Sequence, residues 1–460
     1  MKFIKPENIS SQKIRELAEQ LEEKDVKYGP WTLSFESMFA ELTDKELKLI
    51  SDASEKIIRA SEIFTNIVLE SEELREEFNW PEAFWKLVAA EPGYSRNIPC
   101  SRFDAFLNEI PLIRHGELSA PIVKGELPDP RPLPPESLKF IELNTDGCSG
   151  MTNADIFQES YSEIFGLSEY KYEKVVPHLI ETLLECYKEF RGNFPESGFP
   201  EKPVVGILDW AGEETFREFE EMVRSLSEAG VESHIITPEK VEYDGSGLFI
   251  DGEKIHLIYR RLLGAEYAEN LNKLHHISSA FLERKVCMAG APRSQIAFSK
   301  KLFAFLQSSE IQNRLPGEIV EAVDKHLPWT RIFKPSKTSF RDKEIDLIPF
   351  VRENKDFFVL KPCESKCGVG IYQGKFTEQV TWKKAVDEAA GKDFIIQEFI
   401  DLPEADFARE GSKKKKELRY IHLGAYVFGG KFSGFLGRTC SNPLLTVRHG
   451  ERLLFVGEEC

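Results

Sequence analysis

The stretch from Pro203 to Tyr259 constrains the fold most. Pro203-Val204-Val205-Gly206-Ile207-Leu208 is a short apolar run of the buried-strand kind, and Glu213 to Glu228 has the spacing of an amphipathic helix. Val231 to Ile236 and Ile255 to Tyr259 then supply two more strands. A strand, a crossover helix and a returning strand of these lengths predict a parallel sheet in a doubly wound lobe. The lobe lacks the dinucleotide fingerprint, because Gly206 stands alone and Ala211-Gly212-Glu213-Glu214 is not G-x-G-x-x-G. It reads as a scaffold and substrate wall.

The remaining segments differ in kind. Asp44 to Phe78 carries Leu47, Ile50, Ile57, Ile58, Phe64, Ile67 and Val68 at helical spacing, and the first hundred residues are expected to be helical. The prolines between Pro111 and Pro135 exclude a helix or a central strand there. Ser137 to Asn144 reads as a strand ending in the turn Thr145-Asp146-Gly147, with a helix from Thr152, whose hydroxyl can cap it. Residues 172–191 form a further helix. From Phe357 onward the chain reads as one antiparallel sheet: Phe357 to Lys361, Gly370 to Gln373, Phe394 to Phe399, and a hairpin at Gly429-Gly430 joining Tyr420 to Phe428 with Phe432 to Leu436. Lys413 to Lys416 is expected to be a solvated loop tip.

Composition narrows the function. A formal net charge of −17 over 460 residues argues against a general nucleic-acid or acidic-membrane binder, although a local basic pocket stays allowed. No apolar run is long enough to span a bilayer, and Met1-Lys2-Phe3-Ile4-Lys5-Pro6 lacks the apolar core of a signal peptide. The protein is therefore expected to be cytoplasmic. Its eight cysteines, whose only close pair is Cys363 and Cys367, fit neither a disulfide framework nor a zinc ribbon.

Three motifs carry chemistry. Lys361-Pro362-Cys363-Glu364-Ser365-Lys366-Cys367-Gly368-Val369-Gly370 places a lysine at a strand end before a glycine loop, which suits an anion but equally an ordinary hairpin. Gln397-Glu398 interrupts an apolar strand and could face a base, or simply be half-buried. Arg102-Phe103-Asp104 and Glu142-Leu143-Asn144 each put two polar groups on one face of an extended segment. Two carboxylates and an amide oxygen are hard ligands suited to magnesium.

In this order, Glu142-x-Asn144-x-Asp146, Lys301 in Ser299-Lys300-Lys301-Leu302, Val359-Leu360-Lys361-Pro362 with its loop, Gln397-Glu398, and Tyr426 through Arg438 resemble the circularly permuted ATP-grasp family, in its glutathionylspermidine synthetase-like branch. The resemblance runs from about Arg102 to Arg438. Its specific feature is order, since the metal-binding residues precede the phosphate lysines. It implies an α+β, circularly permuted ATP-grasp fold with a doubly wound, pre-ATP-grasp-like lobe. The parts would be a helical region at 1–100, a part with the metal motif at 101–200, the doubly wound lobe at 201–295 and the nucleotide-binding lobes at 296–460.

The resemblance also implies roles. Arg102 would contact the γ-phosphate of ATP, and Asp104, Glu142 and Asn144 would hold Mg²⁺. Lys301 and Lys361 would approach the adenine and α/β-phosphate side, and the loop containing Gly368 and Gly370 would cover the phosphates. Gln397 and Glu398 would form the adenine hinge, and Arg438 would stabilise the transferred phosphoryl group or acyl phosphate. The implied activity is an ATP- and Mg²⁺-dependent carboxylate–amine ligase, taking a small-molecule or peptide carboxylate and an amine. An ATP-dependent phosphotransferase and a non-catalytic nucleotide-binding partner are the alternatives. The chain departs from the family in Asp146-Gly147-Cys148-Ser149, where only Ser149 bears a hydroxyl, and in lacking a papain-like amidase signature in its first hundred residues. Cys100, Cys148, Cys363, Cys367 and Cys440 would crowd the ATP site, either as packing or, for Cys363 and Cys367, as a redox pair.

Overall fold

In the computed structural model, Val204–Leu208 pairs in parallel with Glu232–Ile236 on one side and with Leu257–Arg260 on the other; Leu257–Arg260 in turn pairs in parallel with Cys287–Ala289. The chain thus reverses its winding direction between Val204–Leu208 and Leu257–Arg260. In such sheets a crevice opens outside the carboxyl ends of the strands at that point. Here those ends deliver Asp209 and Arg261. The structure describes residues 1–108, 137–195, 198–365, 368–408, 416–444 and 450–459. The proline-rich connection 111–135, Cys367, Lys413 to Lys415 and Cys460 lie outside the described residues.

The C-terminal strands do not make one sheet. Lys416–Phe428 and Lys431–Cys440 form the predicted hairpin, closed by Gly429 and Gly430 at φ +54° and +76°, the pair of left-handed residues a tight two-residue turn needs. This hairpin belongs to a seven-stranded sheet, in which Lys416–Phe428 pairs antiparallel with Cys100–Asn108, and that strand with Ser137–Asn144. Phe358–Pro362, Tyr372–Gln373 and Phe394–Glu398 instead join Thr330–Ile332 in a separate antiparallel sheet. That smaller sheet has its own core of Phe333, Phe340, Leu360, Trp382 and Ile396. Alternation along a strand tells which face is buried but not which distant strand it will pair with, and that is where the one-sheet expectation fails.

The first hundred residues are not purely helical. The helix Asp44–Glu70 forms, opened by a reciprocal capping box between Thr43 and Glu46, and buries Ile50, Ile57, Phe64 and Val68. Ahead of it, Lys2–Ile4 pairs with Phe39–Leu42, which runs parallel to Val456–Glu459, and Ser34–Phe35 runs beside Arg452–Leu453. Strands of two to four residues are too short to show a period of two, so sequence pattern passes over them. No helix among the described residues is long and apolar enough to cross a membrane.

Candidate active site

The antiparallel register sets Arg102 opposite Asn144 and Asp104 opposite Glu142, so the two motifs become one cluster on one face of the large sheet. A register shift just after Asp104 bends the strand there, a device that re-aims side chains beside functional sites. Further along the same sheet His422 lies opposite Arg438. Arg102 Nε is 3.1 Å from Asp104 Oδ1, and its Nη1 donates to the Ser149 carbonyl at 2.8 Å. Arg438 Nη2 donates to His422 Nδ1 at 2.6 Å, and Arg438 Nη1 stands 2.8 Å from Glu451 Oε1. Because Nδ1 accepts, the neutral imidazole carries its proton on Nε2, which lies 3.5 Å from Asp104 Oδ1. Burial, reinforced by Arg438, pushes His422 down to about 3, so it stays uncharged. Burial alone would push Asp104 up, but the guanidinium groups of Arg102 and Arg438 outweigh it and hold the carboxyl well below its usual range.

Facing this cluster is the smaller sheet. Lys361 donates to Gln397 Oε1 at 2.8 Å and to the Ile141 carbonyl at 3.1 Å. Burial pushes its ammonium down to about 8, with Glu142 pulling upward and Lys300 downward. Gln397 also donates to Thr330, and Glu398 pairs with Arg341 at 2.9 Å. The backbone N–H groups of Glu398 and Phe399 donate to the carbonyls of Trp329 and Phe357. Between the sheets lies a cleft of about 570 Å³, within the range of small-molecule sites. Phe106, Ile141, Val359, Ile371, Phe399 and Leu402 give it an apolar side, and Gly368 lies on its wall.

The third wall is the carboxyl edge of the parallel sheet. Asp146 accepts from Arg260 at 2.7 and 3.1 Å, from Ser294 at 2.6 Å and from the Gly264 N–H at 3.0 Å. Neither side chain of the Asp146–Arg260 pair is exposed. The next arginine, Arg261, pairs with Glu218 at 3.2 Å and donates to the Cys148 carbonyl. Between them Gly147 is at φ +60°, where a Cβ would lie 2.4 Å from the Arg261 carbonyl oxygen, so only glycine fits. These bonds dock the turn after Asn144 onto the doubly wound lobe. Asp209, Glu213, Glu218 and Glu266 line the cleft on this side, and burial pushes Asp209 up to about 6 against the pull of Arg261.

Arg102, Asp104, Glu142, Asn144, Lys361, Gly368, Gln397, Glu398 and Arg438 thus share one cleft, whereas Lys301 and Gly370 do not line it. Lys301 turns the other way, pairing with Asp393 at 2.5 Å and donating to the Glu77 carbonyl. Its neighbour Lys300 does not line the cleft either, but it reaches a residue that does, standing 3.2 Å from Glu142 Oε1 and 3.0 Å from the Ser365 carbonyl. Consecutive helix-start residues point in different directions, and nothing in Lys300-Lys301 says which faces inward. Thr152 does not cap its helix: Gly150 does, and the Met151 N–H donates to Glu218. Of the described cysteines, Cys148 alone lines the cleft. Burial pushes the thiols of Cys100, Cys148 and Cys363 up, the opposite of an activated thiolate. His422 and Glu451 were not foreseen. His422, seven residues before the Gly-Gly turn, and Glu451, beyond the hairpin, have no motif around them.

The donor set fits magnesium. Asp104 and Glu142 are cross-strand neighbours, and Asn144 Nδ2 is buried without a hydrogen-bond partner among the described residues. A half-turn of that amide offers its oxygen instead. One or two carboxylates with waters and phosphate oxygens make the usual magnesium shell. A separate trio with ligand atoms within 4.8 Å of one another, Glu232, His234 and Glu253, is partly exposed and does not line the cleft.

No family model matches the sequence, and no curated protein does. Structural comparison does find similar folds. A glutathione synthetase-like effector from Globodera pallida, solved in its apo form, matches 97% of this chain and 96% of its own at a TM-score of 0.61 and 12% identity. The fold is of the ATP-grasp type. D-alanyl-alanine synthetase A from Vibrio cholerae covers 57% of this chain and 89% of its own at a TM-score of 0.27 and 12% identity, too loose a match to carry any argument. At such identity the likeness concerns the ATP-grasp fold, and the chemistry has to be argued from the cleft.

Proposed function

We propose that this protein is an ATP- and Mg²⁺-dependent carboxylate–amine ligase of the circularly permuted, glutathionylspermidine synthetase-like kind. One observation carries the proposal: Arg102, Asp104, Glu142, Asn144 and Arg438, from three segments of the chain, meet Lys361 across a single cleft. The order of these residues along the chain, carboxylates before lysine, supports the permuted branch. Lys361 and the neighbouring Lys300 would bind the phosphates of ATP. Each carboxylate now pairs with a cation, Asp104 with Arg102 and Glu142 with Lys300, and those cations would turn to phosphate oxygens once ATP arrives. Magnesium, when bound, would neutralise phosphate charge. Arg102 and Arg438 would stabilise the phosphoryl group passing to the substrate carboxylate, so catalysis would come from positioning and fixed charge. The N–H groups of Glu398 and Phe399 already have partners, so an adenine edge would be held by neighbouring groups and by the apolar wall.

The amine side of the reading is supported by the carboxylates at the edge of the doubly wound lobe. Asp209, Glu213 and Glu266 suit a cationic nitrogen better than a second phosphate. Incubation with ATP, Mg²⁺ and mixed amino acids, peptides and polyamines tests the proposal. ADP together with an amide is the expected result. ADP with a phosphorylated product would make the protein a phosphotransferase, and no ADP would make it a binding module.

A further inference from the structure

Glu451 is an anomaly. It lines the cleft beside Arg438, yet it is only 8% exposed, and its Oε2 has no hydrogen-bond partner among the described residues. A buried carboxylate oxygen left without a donor is uncommon and destabilising, and such groups call for an explanation. Oε1 likewise makes no hydrogen bond among the described residues, but it has a close ionic contact there, Arg438 Nη1 at 2.8 Å. Groups facing it from neighbouring strands are Arg438, Arg102 and Asp104, with His422 behind Arg438.

The proposed ligase reaction needs a group that this oxygen can supply. An amine is an ammonium at neutral pH and cannot attack an acyl phosphate until it has lost a proton. The other candidates around Arg438 are unsuited. Asp104 is held ionised by arginines and is a poor proton acceptor. His422 has its Nδ1 occupied by Arg438. Glu142 is paired with Lys300.

We propose that Glu451 is a catalytic residue, the proton acceptor for the amine co-substrate; this rests on the ligase reading above. One N–H proton of the ammonium passes to Glu451 Oε2. The freed lone pair forms the C–N bond at the acyl carbon, and the C–O bond to phosphate then breaks. A second N–H proton leaves with the departing inorganic phosphate, and Glu451 returns its own to solvent. Burial raises the basicity of Glu451, partly offset by Arg438 and Arg102, in the direction the role requires.

The test compares the parent with Glu451→Gln and Glu451→Asp, supplied with ATP, Mg²⁺ and a pool of the common amino acids and glutathione as acids. The nucleophile is either hydroxylamine, which is uncharged at neutral pH and needs no base, or the amino acids with 1,3-diaminopropane. With charged amines Glu451→Gln is expected to lose about 100-fold or more of amide formation, while hydroxamate formation stays within about threefold of the parent. Glu451→Asp, which keeps a carboxylate, recovers part of the amide rate. Equal losses with both nucleophiles would make Glu451 a support for Arg438 and overturn the proposal, as would no loss with either. A parent that makes hydroxamate but no amide removes the amine and with it the base. A parent that makes neither removes the ligase reading itself.

Discussion

Two arginine–carboxylate networks border the same cleft, and they are built oppositely. In the Arg260–Asp146 network both side chains are fully buried, and Asp146 accepts from Arg260, Ser294 and the Gly264 N–H. In the network around Arg438, Glu451 Oε2 and Arg438 Nε are buried without partners among the described residues, and Asp104 and Glu142 face open space. Residue types do not distinguish the two. Saturation does: a completed buried network fixes a docking, whereas an incomplete one has room for a ligand to complete it.

The largest expected effect breaks the saturated side. Arg260→Met leaves Asp146 as a buried charge without its counterion and should lower stability by about 3–5 kcal/mol. Urea unfolding measures this, and a loss below about 1 kcal/mol would mean that the pair does not hold the lobe to the turn. On the open side the expectation reverses. Glu142→Gln should lower Mg²⁺-dependent turnover by about 100-fold or more, the scale seen for removing one group that stabilises transition-state charge, with little change in unfolding. Full activity in that variant would remove Glu142 from the metal site.

A smaller effect separates two adjacent residues. Lys300→Met should weaken MgATP binding about tenfold, or roughly 1.4 kcal/mol, by isothermal titration, while Lys301→Met should leave that affinity nearly unchanged and lower the unfolding midpoint. The reverse pattern would restore Lys301 to the nucleotide. This pair also marks how far the sequence could be read. Arg102 and Asp104, or Glu142 and Asn144, are two apart on strands, and a period of two assigns them a common face without further information. The family resemblance implied that the two motifs share a site, but that their strands pair with each other in register is a long-range fact no local pattern carries. Lys300 against Lys301 turns on where a short helix begins, a difference of one residue that no pattern resolves. Asp146 was legible as part of a motif but not as the partner of Arg260, since the bond spans 114 residues, from a turn to a strand of another sheet. Glu451 and His422 gave no local signal, because what singles them out is burial.

The smallest effect tests whether incompleteness at the cleft carries an energetic penalty. Burial pushes Asp209 up to about 6 from 3.8, despite Arg261, and its carboxylate accepts from the N–H of Trp210 at 2.8 Å. An acid whose folded pKa is raised destabilises the fold when ionised. The Asp209 contribution to stability should therefore rise as pH falls from about 7 toward 4, where the folded carboxyl is protonated and the unfolded one nearly half so. The shift corresponds to about 3 kcal/mol at most. Asparagine keeps an acceptor for Trp210 and removes the charge, so Asp209→Asn should stabilise the protein by about 1 kcal/mol at pH 8 and by nothing measurable at pH 4. Urea unfolding at the two pH values provides the comparison. A variant less stable than the parent at pH 8 would place Asp209 with Asp146, among the carboxylates that hold the structure together. A gain at pH 8 accompanied by lost amide formation would show a charge kept at the cleft for the amine at the expense of stability.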